Sequence, residues 1–141
     1  MNLLKLYEAS TRYGHTLWID PNGKIIDISK NRLTHFEWLN DKYKPKNGNE
    51  IFSIAAKKGW TQVRNHQSMT SLGGSVSFMG NEKYIRKHKD VIFDIIDQSL
   101  FDPKVDRFFV DITFVDDKGD PVGERQTFGM PKADSKLRRF L

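Results

Sequence analysis

Hydrophobic and polar positions follow two rhythms along this chain. A period of two marks residues 16–28, where Leu17 and Ile19 alternate with Trp18, and Ile26 and Ile28 alternate with Ile25. Between these runs lies Asp20-Pro21-Asn22-Gly23. Proline presets φ for a turn, and Asn-Gly accepts the positive φ that follows, so the segment predicts a β-hairpin. The same period recurs at 60–64, at 75–79 and at 108–115, where Phe108, Val110, Ile112 and Phe114 form one apolar face. Asp117-Lys118-Gly119-Asp120-Pro121 then predicts a turn, and residues 124–130 a return strand.

The second rhythm is helical. Leu3, Leu6, Tyr7 and Ser10 predict a short amphipathic helix over residues 2–10. Thr34-His35-Phe36-Glu37 has the spacing of a capping box and opens a helix carrying Phe36, Leu39 and Tyr43. Asn49 can cap the next helix, which Gly59 ends. Asn81 can cap a long helix over residues 82–100, with Ile85, His88, Val91/Ile92 and Ile95/Ile96 inward and Asp102-Pro103 as its stop. The order of elements predicts a single α+β domain over residues 1–141. Its core is a mainly antiparallel sheet of three β-hairpins, with helices packed on one face. Residues 131–141 form a basic C-terminal tail whose Leu137, Phe140 and Leu141 can dock on this domain or on another protein.

Several of these segments resemble a pattern in small uncharacterised proteins of tailed bacteriophages. The likeness covers Leu3 to Ala9, Trp18 to Ile26, Thr34-His35 with Trp38-Leu39, and Lys58-Gly59-Trp60-Thr61-Gln62-Val63-Arg64. It spans about the first half of the chain. The resemblance implies a viral origin and a setting in the host cytoplasm or the virion. It implies no activity, because that group of proteins has none assigned.

Composition narrows the chemistry. The chain has no cysteine, which excludes disulfides, thiolate metal sites and cysteine nucleophiles. The first residues turn charged too soon for a signal peptide, and no apolar run approaches the roughly 20 residues of a membrane span. Net charge is +5, unevenly spread: residues 1–89 hold fifteen basic against seven acidic residues, and residues 90–120 hold three against nine. Such polarity suits an anionic partner, or internal pairing between the blocks.

Three sets of side chains are candidates for function. His15, His35 and His66 form an acid/base group if the first hairpin, the capping-box helix and the third strand are neighbours, which is the basis for a small histidine-dependent hydrolase. Their spacing matches no metal-binding helix, and neither a metal nor a cofactor is expected. Asp90, Asp94 and Asp97 share one helical face, which reads as a solvated stripe more readily than as a cation site. Lys83, Arg86, Lys87 and Lys89 precede them at the start of the expected helix, against the preference of the helix dipole.

The third set is a nucleic-acid surface: Lys57, Lys58, Arg64, Lys83, Arg86, Lys87, Lys89, Arg138 and Arg139 for phosphates, with Trp60 or Tyr84 to stack on a base. No helix-turn-helix, zinc-finger or RNA-recognition signature accompanies it. The expectation is therefore a non-enzymatic accessory protein of phage type that binds another protein, in the virion or from the host. Nucleic-acid binding is the alternative and hydrolysis the third reading.

Overall fold

A computed structural model of the chain describes residues 16–26, 50–67, 73–100 and 107–141. The helices expected at residues 2–10 and from Thr34, together with His15 and His35, lie outside the described residues. Among those described, the chain runs through β1 (Thr16–Ile19), β2 (Ile25–Ile26), α1 (Glu50–Lys57), β3 (Thr61–Gln67) and β4 (Gly73–Asn81). It continues through α2 (Glu82–Lys87), α3 (Lys89–Leu100), β5 (Arg107–Val115), β6 (Gln126–Met130) and α4 (Asp134–Phe140). The strands form one six-stranded sheet in the order β2-β1-β3-β4-β5-β6.

The three expected hairpins are all present. β1–β2, β3–β4 and β5–β6 pair antiparallel, as do β1 and β3. β4 and β5 run parallel, from Gly73 opposite Arg107 to Asn81 opposite Val115, with α2 and α3 as the crossover. A parallel pair needs such a crossover, and a helix supplies it. The domain is therefore α+β, with one mainly antiparallel sheet.

Alternation decides which face each residue meets. Leu17, Val63, Phe78, Val110 and Ile112 fall on one face, fully or nearly fully buried with Ile85 of α2, Ile92, Ile95 and Ile96 of α3, and Leu137 of α4. Residues 131–141 thus include a docked helix: Phe140 stacks on Phe114 at 5.7 Å between ring centroids and tilts against Phe128 at 5.4 Å. The opposite face carries α1 at one end. There Trp18, Gln62, Met79 and Val115 meet Ala55, Ala56 and Trp60 around a cavity of about 10 Å³. Trp18 and Trp60 touch edge to face at 6.4 Å.

The turns repeat one solution. In the first hairpin Gly23 N–H donates to the Asp20 carbonyl, Gly23 has φ 87°, and Asp20 Oδ1 accepts from the N–H groups of Asn22 and Lys24. In the last, Gly119 N–H donates to the Asp116 carbonyl, Gly119 has φ 82°, and Asp116 Oδ1 accepts from Lys118 and Asp120. The shared Asp-x-x-Gly spacing places a side-chain acceptor at the turn's start and a positive φ at its end.

The helices were expected on one face of the sheet, but α1 covers the face opposite α2, α3 and α4. The long helix differs as well. The helix expected over residues 82–100 breaks at His88, which has φ −106° and ψ 27°. Its imidazole does not continue the apolar stripe. It turns to the first hairpin, where Nε2 donates to the Pro21 carbonyl at 2.9 Å and the ring lies over Gly23. The break also reduces the conflict with the helix dipole, although Lys83 and Lys89 still stand in first turns. Arg86 and Lys87 now occupy the last turn of α2, and Asp90 the first turn of α3, as the dipole favours.

Asn81 caps α2 as its sequence predicts: its Oδ1 accepts from Lys83 N–H at 3.1 Å. Asn81→Ala should cost about 1 kcal/mol and Asn81→Gly a few tenths. Urea titration of both variants checks this, and an alanine no worse than glycine would show that the capping oxygen contributes nothing.

Candidate nucleic-acid interface

The interface begins with a helix end. α1 closes in a Schellman arrangement: Gly59 N–H donates to the Ala56 carbonyl, Trp60 N–H to the Ala55 carbonyl, and Gly59 has φ 91°. This turns Lys57 and Lys58 outward, both exposed, and sends Trp60 inward at 4% exposure. Trp60 is thus a core residue held against Trp18 and has no face to offer a base, a correction to its expected stacking role.

The Tyr84 ring of α2 lies directly on Gly59. A Cβ built there would sit 2.5 Å from Tyr84 Cε1, so only glycine permits the approach. Lys83 and Lys87 flank the same ring, each with Nζ 6.0 Å from its centroid. Lys57 and Lys58 from one segment and Lys83 and Lys87 from another therefore gather around a single Tyr84–Gly59 contact. All four lysines are exposed, and none forms an ion pair among the described residues. Lys89 is exposed just beyond His88.

The arginines go elsewhere. Arg86 pairs with Glu82 at 3.2 Å, lies against the Phe114 and Phe140 rings at 5.3 and 5.5 Å, and donates to the Phe140 carbonyl. It clamps α4 to α2. Arg138 bonds Asp134 at 3.0 Å and Asp97 at 3.2 Å and covers Phe93 at 4.5 Å. Its pKa is raised, first by the hydrogen bond to Asp134. Arg139 is exposed, with Nε donating to the Ser135 carbonyl. Arg64 is exposed on the far face of the sheet, opposite Ser77.

Of the histidine set, only the backbone of His66 is described; it stands opposite Ser75 in β3–β4. Of the acidic stripe, Asp97 is engaged by Arg138, while Asp90 and Asp94 are exposed. No cluster of three metal-ligating side chains occurs among the described residues.

A polar row that sequence reasoning missed crosses the far face. Asp111 accepts from Thr127 Oγ1 at 2.6 Å and from Ser77 Oγ at 3.2 Å, with Arg125 Nε at 4.0 Å. The row fastens β4, β5 and β6 through one carboxylate. The available signal was an aspartate on the polar side of an otherwise apolar strand. Beside it Phe109 is 46% exposed, its ring near Gly129.

A shallow groove of about 480 Å³ opens where β4 and β5 end, between Asn81 and Glu82 on one side and Asp116, Asp117 and Lys118 on the other. No helix among the described residues is long and apolar enough to cross a membrane. Compared with protein-family models, curated proteins and solved structures, the chain has no significant match.

Proposed function

We propose that this chain is an accessory protein that binds nucleic acid through Lys57, Lys58, Lys83 and Lys87. One observation carries the reading: four exposed lysines from two separate segments converge on the Tyr84–Gly59 contact, with no carboxylate pairing them among the described residues. Unpaired lysines held close together raise the local positive potential, and releasing condensed counterions from a phosphate backbone then supplies the affinity. The resemblance to phage proteins would put this encounter in the host cytoplasm or the virion.

The test is fluorescence anisotropy of labelled DNA against the native chain and a Lys57→Gln, Lys58→Gln, Lys83→Gln, Lys87→Gln variant. Removing four phosphate contacts should lower the slope of log affinity against log salt by between about 3 and 4. The substitutions are exposed and should leave the unfolding midpoint unchanged. An unaltered slope would sink the proposal.

A second reading is binding to another protein through the far sheet face, favoured by Phe109, a large exposed apolar side chain near the start of β5. Native mass spectrometry after nuclease treatment separates the two. A defined protein complex that survives nuclease and ignores the four lysines would transfer the assignment to that face.

A further inference from the structure

We infer, resting on the nucleic-acid reading above, that the lysine surface takes the phosphate backbone of a duplex in preference to a single strand, and that it extends to Lys24 on the first hairpin. Two observations separate duplex from single strand. Binding of single strands without sequence preference combines a basic track with aromatic faces on which bases stack. Among the described residues this surface provides the charges without the faces. Trp60 is buried against Trp18, and Tyr84 is half-buried with its ring on Gly59. The exposed Phe109 stands near the start of β5, at the other end of the strand from Val115, which lies beside α1.

Arg86 and Arg138 are not available to read bases. The bidentate contacts that recognise base edges come from arginine, asparagine and glutamine, as well as lysine at guanine. Arg86 and Arg138 are already committed to carboxylates, carbonyls and aromatic rings within the domain. Lysine is a compact charge on a flexible stem. A surface that acts by charge alone favours the ligand with the denser charge, and a duplex carries one phosphate per about 1.7 Å of axis.

Lys24 joins through His88. That imidazole bonds the Pro21 carbonyl and packs on Gly23, which fixes the hairpin turn at the junction of α2 and α3, one residue from Lys87. Lys24 is exposed and follows Gly23 directly.

Anisotropy with a DNA duplex of about two helical turns, and with one of its strands alone, tests the inference on the full chain. The duplex should bind at least about tenfold more tightly near 100 mM salt, with a slope of about −0.9 per contacted phosphate against −0.7 for the strand. Lys24→Gln should reduce the duplex slope by about 0.9. Equal or tighter binding of the single strand overturns the inference while the nucleic-acid reading stands. Binding of neither ligand removes that reading itself. A Lys24→Gln variant with the native slope overturns the extension to the hairpin.

Discussion

Truncating Phe78 to alanine should lower the unfolding free energy by about 3–5 kcal/mol. Phe78 sits in β4 at 0% exposure, opposite Val63 of β3 and Ile112 of β5, which are also buried. It belongs to the same cluster as Ile92, Ile95 and Ile96, so its ring joins the sheet to α3. Deleting it removes the transfer free energy of the ring and leaves a cavity that strands fixed on both sides cannot close. For a domain whose whole stability lies near 5–15 kcal/mol, that is a large share. Urea titration should show a lower midpoint with an unchanged slope. Phe109→Ala is the comparison, because Phe109 lies on the neighbouring strand at 46% exposure and should lose far less. Equal losses at the two positions would contradict the assignment of inner and outer faces.

The second large effect is at Gly59. Gly59→Ala should cost about 2–4 kcal/mol, of which about 1–2 comes from a left-handed backbone at φ 91°. The rest comes from the Tyr84 ring, which a Cβ would approach to between 2.5 and 2.8 Å. Gly123 isolates the two parts: it has φ 77°, and a Cβ there meets nothing within 4 Å. Gly123→Ala should therefore lose only the backbone cost. If Gly59→Ala proves no worse than Gly123→Ala, the ring moves aside freely. Tyr84 would then not fix the positions of Lys83 and Lys87, and the interface would lose its frame.

Much of the fold was written locally. Asp20-Pro21-Asn22-Gly23 specifies its turn within four residues, Asn81 its cap, and Gly59 its helix end. Each of these devices is satisfied by backbone groups a few positions away. The alternation of Phe108 through Ile112 likewise gave β5 its inner face. What could not be read depends on distant partners. The break at His88 follows a hydrogen bond to a carbonyl 67 residues away. Arg86 and Arg138 resemble free cations until α4 brings Phe140 to the one and α3 brings Asp97 to the other. A charged residue type does not reveal whether its charge is spent. Trp60 illustrates the converse, since the position after a helix-ending glycine is where an apolar contact back to the helix is common. The lysines were visible as candidates. Their grouping around Tyr84 was not, because it needs the end of α1 placed against α2.

The parallel pairing of β4 with β5 has a consequence for how the chain reaches this structure. Each hairpin closes locally, and helix formation in α2 and α3 needs only neighbours in sequence. Joining β4 to β5 instead brings together residues such as Ser77 and Asp111, 34 positions apart. Loop-closure entropy must be met before such a ladder returns any energy, and the same holds where β1 meets β3, as at Leu17 opposite Val63. Until both form, each hairpin keeps an unpaired edge. The non-local part of assembly therefore belongs to two junctions, β1 with β3 and β4 with β5, rather than to the hairpins.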